Sequence, residues 1–367
     1  DRLARIYVAV VLCLAALGFG LWFPVDPEKA LHVTVALLVV TCPCAIGIAI
    51  PLAYELVQAR LRRNGFFARR RSLLDKLPRV RKVLFDKTGT LTLGRLQLED
   101  PAGARALSPE LRDAAYDMAA RSSHPVSRCI AEALAQAGAR FDPDAKVREV
   151  PGKGLELERD GHFYRLGKAS WAAPDEPEGS ATVLSRDQTA AARFRTSEVV
   201  RADARREIAA LRESGLGVWL ISGDDPARVA SMAARLGIDE PNARGGQRPE
   251  DKAEFVARLD EDDTLYFGDG VNDSLAFERA LCAGTPAVDR PVLPGKADFF
   301  LLGEGIGGIR AAIDLAKKLQ RVVRRNLLVA LAYNVLAIGT SLAGWMTPLR
   351  AAVLTPRPPG PEPGRTP

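Results

Sequence analysis

Cysteine is sparse and scattered in this chain. Its five cysteines are Cys13, Cys42, Cys44, Cys129 and Cys282. Three fall inside long apolar runs and two outside them, which excludes a disulfide framework. No stripe of Arg and Lys with interleaved aromatics appears, so the formal net charge of +6 does not predict a nucleic-acid partner. No cleavable signal pattern and no internal repeat are visible. The chain opens at Asp1 rather than Met, and a fragment of a longer protein is expected.

Charge is also missing from three long stretches. Ile6 to Phe23 and Asn326 to Leu349 carry none, and Leu31 to Tyr54 has only His32. A bilayer core needs roughly 20 apolar residues per helix, so these runs predict three membrane spans. Basic residues flank them: Arg2 and Arg5 before the first, Arg60 to Arg71 after the second, Arg321 to Arg325 before the third. Basic flanks lie on the cytoplasmic side. The expected topology puts the N-terminus inside, a short outer loop at 24–30 and a large cytoplasmic region at 60–325.

Within that region, strands are expected at 147–150, 155–158, 163–166, 182–184, 218–221 and 264–267. Helical patterns cover 108–138, 199–213, 226–236 and 251–259. Alternating strands and helices predict an α/β fold with a parallel sheet, split by an insert at 97–195. The Pro- and Gly-rich tail from Pro356 is expected to be disordered.

The apolar run Val83-Leu84-Phe85 ends in Asp86-Lys87-Thr88-Gly89-Thr90-Leu91-Thr92. A carboxylate at the C-terminal end of a strand stands where open α/β sheets bind ligands, and it can attack phosphorus to give an aspartyl-phosphate. Downstream come Ser222-Gly223-Asp224-Asp225, then Lys252, then Gly268-Asp269-Gly270-Val271-Asn272-Asp273. A hydroxyl and a turn amide at Ser222 and Gly223 suit phosphoryl oxygens. Lys252 offers a cation to the transferring group. Asp269 and Asp273 suit Mg²⁺, a hard cation.

This series resembles the P-type ATPases, cation pumps with a haloacid-dehalogenase-like catalytic domain. The resemblance implies a parallel-sheet phosphorylation domain (60–96 and 196–320) split by an α+β nucleotide-binding domain (97–195). Transmembrane helices are implied at both ends (1–59 and 321–349), with a tail at 350–367. It implies catalytic roles for Asp86, Lys87, Thr88, Ser222, Gly223, Asp224, Lys252 and Asn272. Mg²⁺ would be held around Asp86, Thr88, Asp269 and Asp273, and ATP near His124, Pro125, Gly152 and Gly154. Phosphatases of the same superfamily carry a second aspartate where Thr88 stands. Without that proton shuttle, hydrolysis in place should be slow.

Cys42-Pro43-Cys44 lies mid-run. Proline cannot donate a backbone hydrogen bond, and soft thiolates select Cu(I). The tripeptide resembles the heavy-metal branch. Tyr333-Asn334, with no lysine in that span, resembles its copper group. The implied cargo is Cu⁺, with Ag⁺ or Zn²⁺ as alternatives. Implied partners are membrane lipid and a copper chaperone, in a bacterial cytoplasmic membrane with the catalytic domains in the cytoplasm. The resemblance also implies further segments: an actuator domain with a Thr-Gly-Glu loop upstream and a last span downstream. The chain by itself is expected to phosphorylate but not to complete transport. Competing readings are a Zn(II)/Cd(II) pump, a membrane-tethered phosphatase and an inactive pump remnant.

Overall fold

The computed structural model describes residues 2–40, 44–177, 179, 181–269, 272–287 and 295–350. Cys42, Pro43, Gly270, Val271 and the tail from 351 lie outside the described residues, as does the side chain of Cys44.

Seven strands form the central sheet. β1 (Phe66–Ala68) lies at one edge, and β2 (Lys82–Asp86) lies near the middle. β3 (Thr92–Leu98) then leaves this core. The insert follows, with helices Pro109–Ala120 and Pro125–Gln136 and an antiparallel sheet. That sheet is β4 (Val147–Val150), β5 (Gly154–Arg159), β6 (His162–Lys168), β7 (Thr182–Arg186) and β8 (Thr189–Phe194), paired in sequential order. β9 (Thr196–Val200) returns and pairs antiparallel with β3, Glu198 opposite Leu96. β10 (Gly217–Ile221), β11 (Ala243–Arg244), β12 (Thr264–Phe267), β13 (Cys282–Pro286) and β14 (Phe299–Leu301) complete the central sheet. Its order is β1-β14-β13-β12-β2-β10-β11, parallel except for β1.

Side chains alternate across this sheet with period two. Val83, Phe85, Val218, Leu220, Leu265 and Phe267 face one core cluster, shared with helices Ala204–Glu213 and Pro226–Leu236. Leu84, Ile221 and Tyr266 face the other, with helices Pro249–Leu259 and Ser274–Arg279. Burial on both faces explains why these strands read as continuous apolar runs. The three middle strands β10, β2 and β12 are parallel and in register, so their C-terminal ends present three loops to one place.

Two helical expectations are corrected. The pattern at 108–138 is two helices, because Pro125 starts the second with His124 as its N-cap. The pattern at 199–213 yields a helix only from Ala204. Residues before it, rich in β-branched side chains, are taken by β9 pairing with β3.

Of the three expected spans, one is supported directly by helix length and apolarity. Among the described residues, only helix Gly307–Leu342 is both long and apolar enough to cross a membrane. Helix Arg2–Trp22 holds a shorter apolar segment, Val8–Trp22. Within the run 31–54 the described residues belong to helices Pro27–Val40 and Cys44–Arg63. Helix Gly307–Leu342 does two jobs along roughly 54 Å, at 1.5 Å per residue. Its first half buries Ile309, Ala312, Ile313, Ala316 and Leu319 on the catalytic core. Its second half exposes Leu327, Leu328, Val329, Leu331, Val335 and Leu336. An outward apolar surface of this kind, beyond Arg321, Arg324 and Arg325, belongs in lipid. At least one helix therefore spans a membrane. Its start is tied to the sheet domain: Asp203 Oδ2 accepts from the Ile306 and Gly307 amides at 2.8 and 3.1 Å, and Arg310 Nε meets Glu207 Oε2 at 2.9 Å.

Candidate active site

Asp86 ends β2 and is 4% exposed. Lys252, from helix Pro249–Leu259, donates to Asp86 Oδ1 at 2.6 Å and to Asp273 Oδ1 at 2.8 Å. Tyr266 hydroxyl donates to the same Asp273 oxygen at 3.0 Å, and the Asp269 amide donates to Asp273 Oδ2 at 3.1 Å. Both Asp273 oxygens are thus engaged within the protein.

Burial pushes the Asp86 carboxyl up to about 7; Asp273 adds to the rise, and Lys252 opposes it. Burial is the largest influence on Lys252 too, and pulls its ammonium down. Asp86 and Asp273 together outweigh burial, so its pKa is raised. A carboxylate this deep is costly to ionise unless cations face it.

A cavity of about 530 Å³ opens in front of these groups. It is lined by Asp86, Thr88, Ser222, Gly223, Asp224, Lys252, Asp269, Asn272 and Asp273. The structure thus brings together residues that are far apart in sequence, all from loops at the C-terminal ends of β2, β10 and β12 or from helix Pro249–Leu259. Gly89 makes the first loop possible: its φ is +66°, and its amide donates to Thr92 Oγ1 at 3.1 Å. Ser222 Oγ accepts from the Asp224 amide at 3.1 Å, so the second loop closes on itself.

Lys87 is placed apart from these residues. It does not line the cavity. Its side chain is buried, with Nζ 2.6 Å from Glu198 Oε1 and 2.8 Å from Asp224 Oδ2. Glu198, Tyr266 and Gln247 were not foreseen. Glu198 and Gln247 line the cavity, and Tyr266 braces Asp273. Their only signal was position: Glu198 interrupts a β-branched run, and Tyr266 lies on the face of β12 opposite Phe267.

Carboxylates of Asp86, Asp269 and Asp273 converge here, with Lys252 bridging two of them and Arg228 also lining the cavity. That excess of negative charge and the all-oxygen donor set fit a hard divalent cation. Mg²⁺ typically takes one or two carboxylates plus substrate phosphates rather than a closed protein cage. Among the described residues no closed cage of His, Cys, Asp and Glu is found. Asp86 and Asp269 are the ligands such an ion would use. Asp273 has both oxygens engaged by Lys252, Tyr266 and the Asp269 amide.

A second cavity, of about 390 Å³, lies in the insert. His124, Gly152 and Gly154 all line it, together with Lys153, Gly167 and Lys168. Pro125 does not; it starts the helix for which the His124 ring caps the Val126 amide at 3.3 Å. Gly154 stands opposite Gly167 across β5 and β6, and a Cβ on it would lie 2.6 Å from Gly167 Cα. Two glycines let these strands close together beneath the cavity. Gly154→Ala is therefore expected to destabilise the chain by about 1–3 kcal/mol, as overpacking does. It is also expected to weaken ATP binding; melting curves with and without ATP check both.

In helix Gly307–Leu342, Tyr333 packs against Ala36, Ala337 and Met346. Its hydroxyl is buried without a hydrogen-bond partner among the described residues. Asn334 is half-buried beside it.

Residues 80–280 match the haloacid dehalogenase-like hydrolase family. The chain belongs to that family. It is 34% identical to the nitrogen fixation protein FixI of Rhizobium meliloti, over 96% of this chain and 46% of that protein. It is 32% identical to the copper-exporting P-type ATPase of Mycobacterium tuberculosis, over 96% of this chain and 48% of that one. Its fold superposes on a zinc-transporting PIB-type ATPase solved in its E2.Pi state, with a TM-score of 0.82 and 27% identity. That likeness covers 96% of this chain and 60% of the other. The chain spans about half the length of the curated relatives it matches. This haloacid dehalogenase-like chain thus carries its catalytic domain on a P-type ATPase-like scaffold.

Proposed function

We propose that the chain is the catalytic and ion-path core of a heavy-metal P-type ATPase that moves Cu(I) through an aspartyl-phosphate at Asp86. The observation that carries this reading is the buried Asp86–Lys252–Asp273 constellation at the mouth of the central strand, with Thr88 in place of a general acid. ATP seated at His124, Gly152 and Gly154 would present its γ-phosphate to the Asp86 cavity. An Asp86 oxygen attacks phosphorus while the bond to ADP breaks. Lys252, the Ser222 hydroxyl and the Gly223 amide hold the phosphoryl oxygens, which gain from fixed donors in a water-poor site. Mg²⁺, bound by Asp86 and Asp269, would supply the remaining positive charge. With no carboxylate at Thr88 to activate water, the phosphoenzyme outlives the transfer step.

Copper is favoured over zinc by Tyr333 and Asn334. The Tyr333 hydroxyl, unpartnered among the described residues, and the half-buried Asn334 lie on a membrane helix that carries no lysine in the span. Polar groups at membrane depth mark ion paths. Cys42 and Cys44 would supply the soft ligands. A copper chaperone and a bacterial cytoplasmic membrane complete the proposal.

The test reconstitutes the chain in lipid with labelled ATP and Mg²⁺, adding Cu(I), Ag(I), Zn²⁺ or no metal. A hydroxylamine-sensitive label that depends on Cu(I) or Ag(I), and is lost with Cys44→Ser, supports the reading. Dependence on Zn²⁺ alone would replace copper with zinc.

A further inference from the structure

We propose that Glu198 is a positioning residue through which the nucleotide-bearing insert controls the phosphorylation loop, acting on Lys87. This rests on the reading of Asp86 as the phosphorylated residue and deepens it.

The insert is joined to the central sheet by only two strands, β3 going out and β9 coming back, and they pair with each other. Any rotation of the insert must pass through this ribbon. Glu198 lies in the middle of β9, opposite Leu96. Its Oε1 reaches out of the ribbon to Lys87 Nζ at 2.6 Å, and Lys87 adjoins Asp86 in the chain. The same ammonium meets Asp224 of the loop after β10 at 2.8 Å. One buried cation therefore joins the ribbon, the Asp86 loop and the Ser222–Asp224 loop. A buried lysine flanked by two carboxylates is held firmly, because moving either leaves charge uncompensated.

The far end of the Asp86 loop is gripped from the same ribbon. Just beyond β9, Arg201 Nε donates to the Thr90 carbonyl at 2.5 Å, and Arg201 NH1 to the Glu304 carbonyl at 2.7 Å. Glu198 also keeps one oxygen, Oε2, buried without a hydrogen-bond partner among the described residues, while its side chain lines the cavity at Asp86. When the insert swings to bring ATP to Asp86, β9 carries Glu198 with it, and Lys87 moves the loop into line.

The full chain, reconstituted in lipid, is compared with Glu198→Gln, Glu198→Asp, Lys87→Gln and the Glu198→Gln/Lys87→Gln pair. ATP binding and the rate of label incorporation at saturating ATP are both measured. Glu198→Gln keeps the shape and removes the charge. Its ATP Kd is expected to stay within about twofold, while its phosphorylation rate falls about ten- to a hundredfold, as a small misplacement of reacting groups does. Retained ATP binding certifies the fold. Glu198→Asp restores the charge and recovers part of the rate. In the Lys87→Gln background the Glu198 change is expected to add almost nothing, because both act on one contact; a merely structural role would give additive losses. A Glu198→Gln rate within about twofold of the parent, or full additivity with Lys87→Gln, overturns the inference alone. Label that appears in no chain, the parent included, overturns the reading of Asp86 and the inference with it.

Discussion

Asp86→Asn is expected to abolish the phosphoenzyme, lowering label incorporation by more than about a thousandfold, the scale of nucleophile removal. The amide is the same size as the carboxyl and still offers Lys252 an oxygen, so packing is preserved. What disappears is the anionic attacking oxygen. The fold should not suffer, because the site already holds too much negative charge: Asp273 and Asp269 both raise the Asp86 pKa. Acid-quenched labelling beside a melting curve separates the two effects.

A pH dependence follows from the same burial. The Asp86 carboxyl titrates at about 7, against 3.8 for the ordinary group. Its pKa is raised on folding, so it contributes stability below the unfolded value that is lost as pH rises toward 7. The parent chain is expected to lose stability relative to Asp86→Asn between pH 4 and pH 7, measured without divalent ions as the difference in apparent melting temperature. Attack needs the ionised form. The same titration therefore makes the phosphorylation rate climb with pH until the carboxylate is fully formed.

Lys252→Met carries the second large effect. Lys252 is the only cation in hydrogen-bond contact with Asp86 among the described residues, and it bridges to Asp273 as well. Methionine fills much of the same volume without charge. Two buried carboxylates then face each other uncompensated, and breaking a buried pair in this way costs about 3–5 kcal/mol. The transferring phosphoryl group also loses a fixed donor, for which a further loss of about a hundred- to a thousandfold in rate is expected. The signature is the pH profile. Without Lys252 the Asp86 pKa rises further, so the residual rate should reach its plateau at higher pH than in the parent. An unchanged profile would mean that the lysine does not govern the nucleophile. Labelling across pH, with ATP binding as the check on folding, decides it.

Much of this site was legible from local sequence. An apolar run ending in Asp86 and followed by Gly89 names a strand and its turn, since both depend on near neighbours. The runs at 218–221 and 264–267 announced the other two strands for the same reason. Parallel strands buried on both faces leave few places for Ser222, Asp224, Asp269 and Asp273 except the C-terminal edge. Lys252 could be placed because its helix begins at Pro249, just before it.

The direction of each long side chain was not legible. Lys87 stands beside Asp86 in sequence, yet its ammonium turns to Glu198 and Asp224. Asp273 has the residue type of a metal ligand, yet both its oxygens are occupied by Lys252, Tyr266 and the Asp269 amide. The stretch before Ala204 reads as helix until β3 claims it as β9. Likewise, Asn326 to Leu349 reads as a separate span, but the helix that carries it as far as Leu342 starts at Gly307 on the sheet domain.

By itself, then, the sequence determined the strand–turn units, their order, the apolar runs and the position of Asp86 at the end of a strand. Those depend on residues within a few positions of one another. Only the tertiary structure decided which carboxylates share which lysine, which strand closes the ribbon to the insert, and how the catalytic core continues into a membrane helix. Each of those rests on a contact between segments roughly a hundred residues apart or more, or on the competition of buried charges for one partner. No local pattern carries that information.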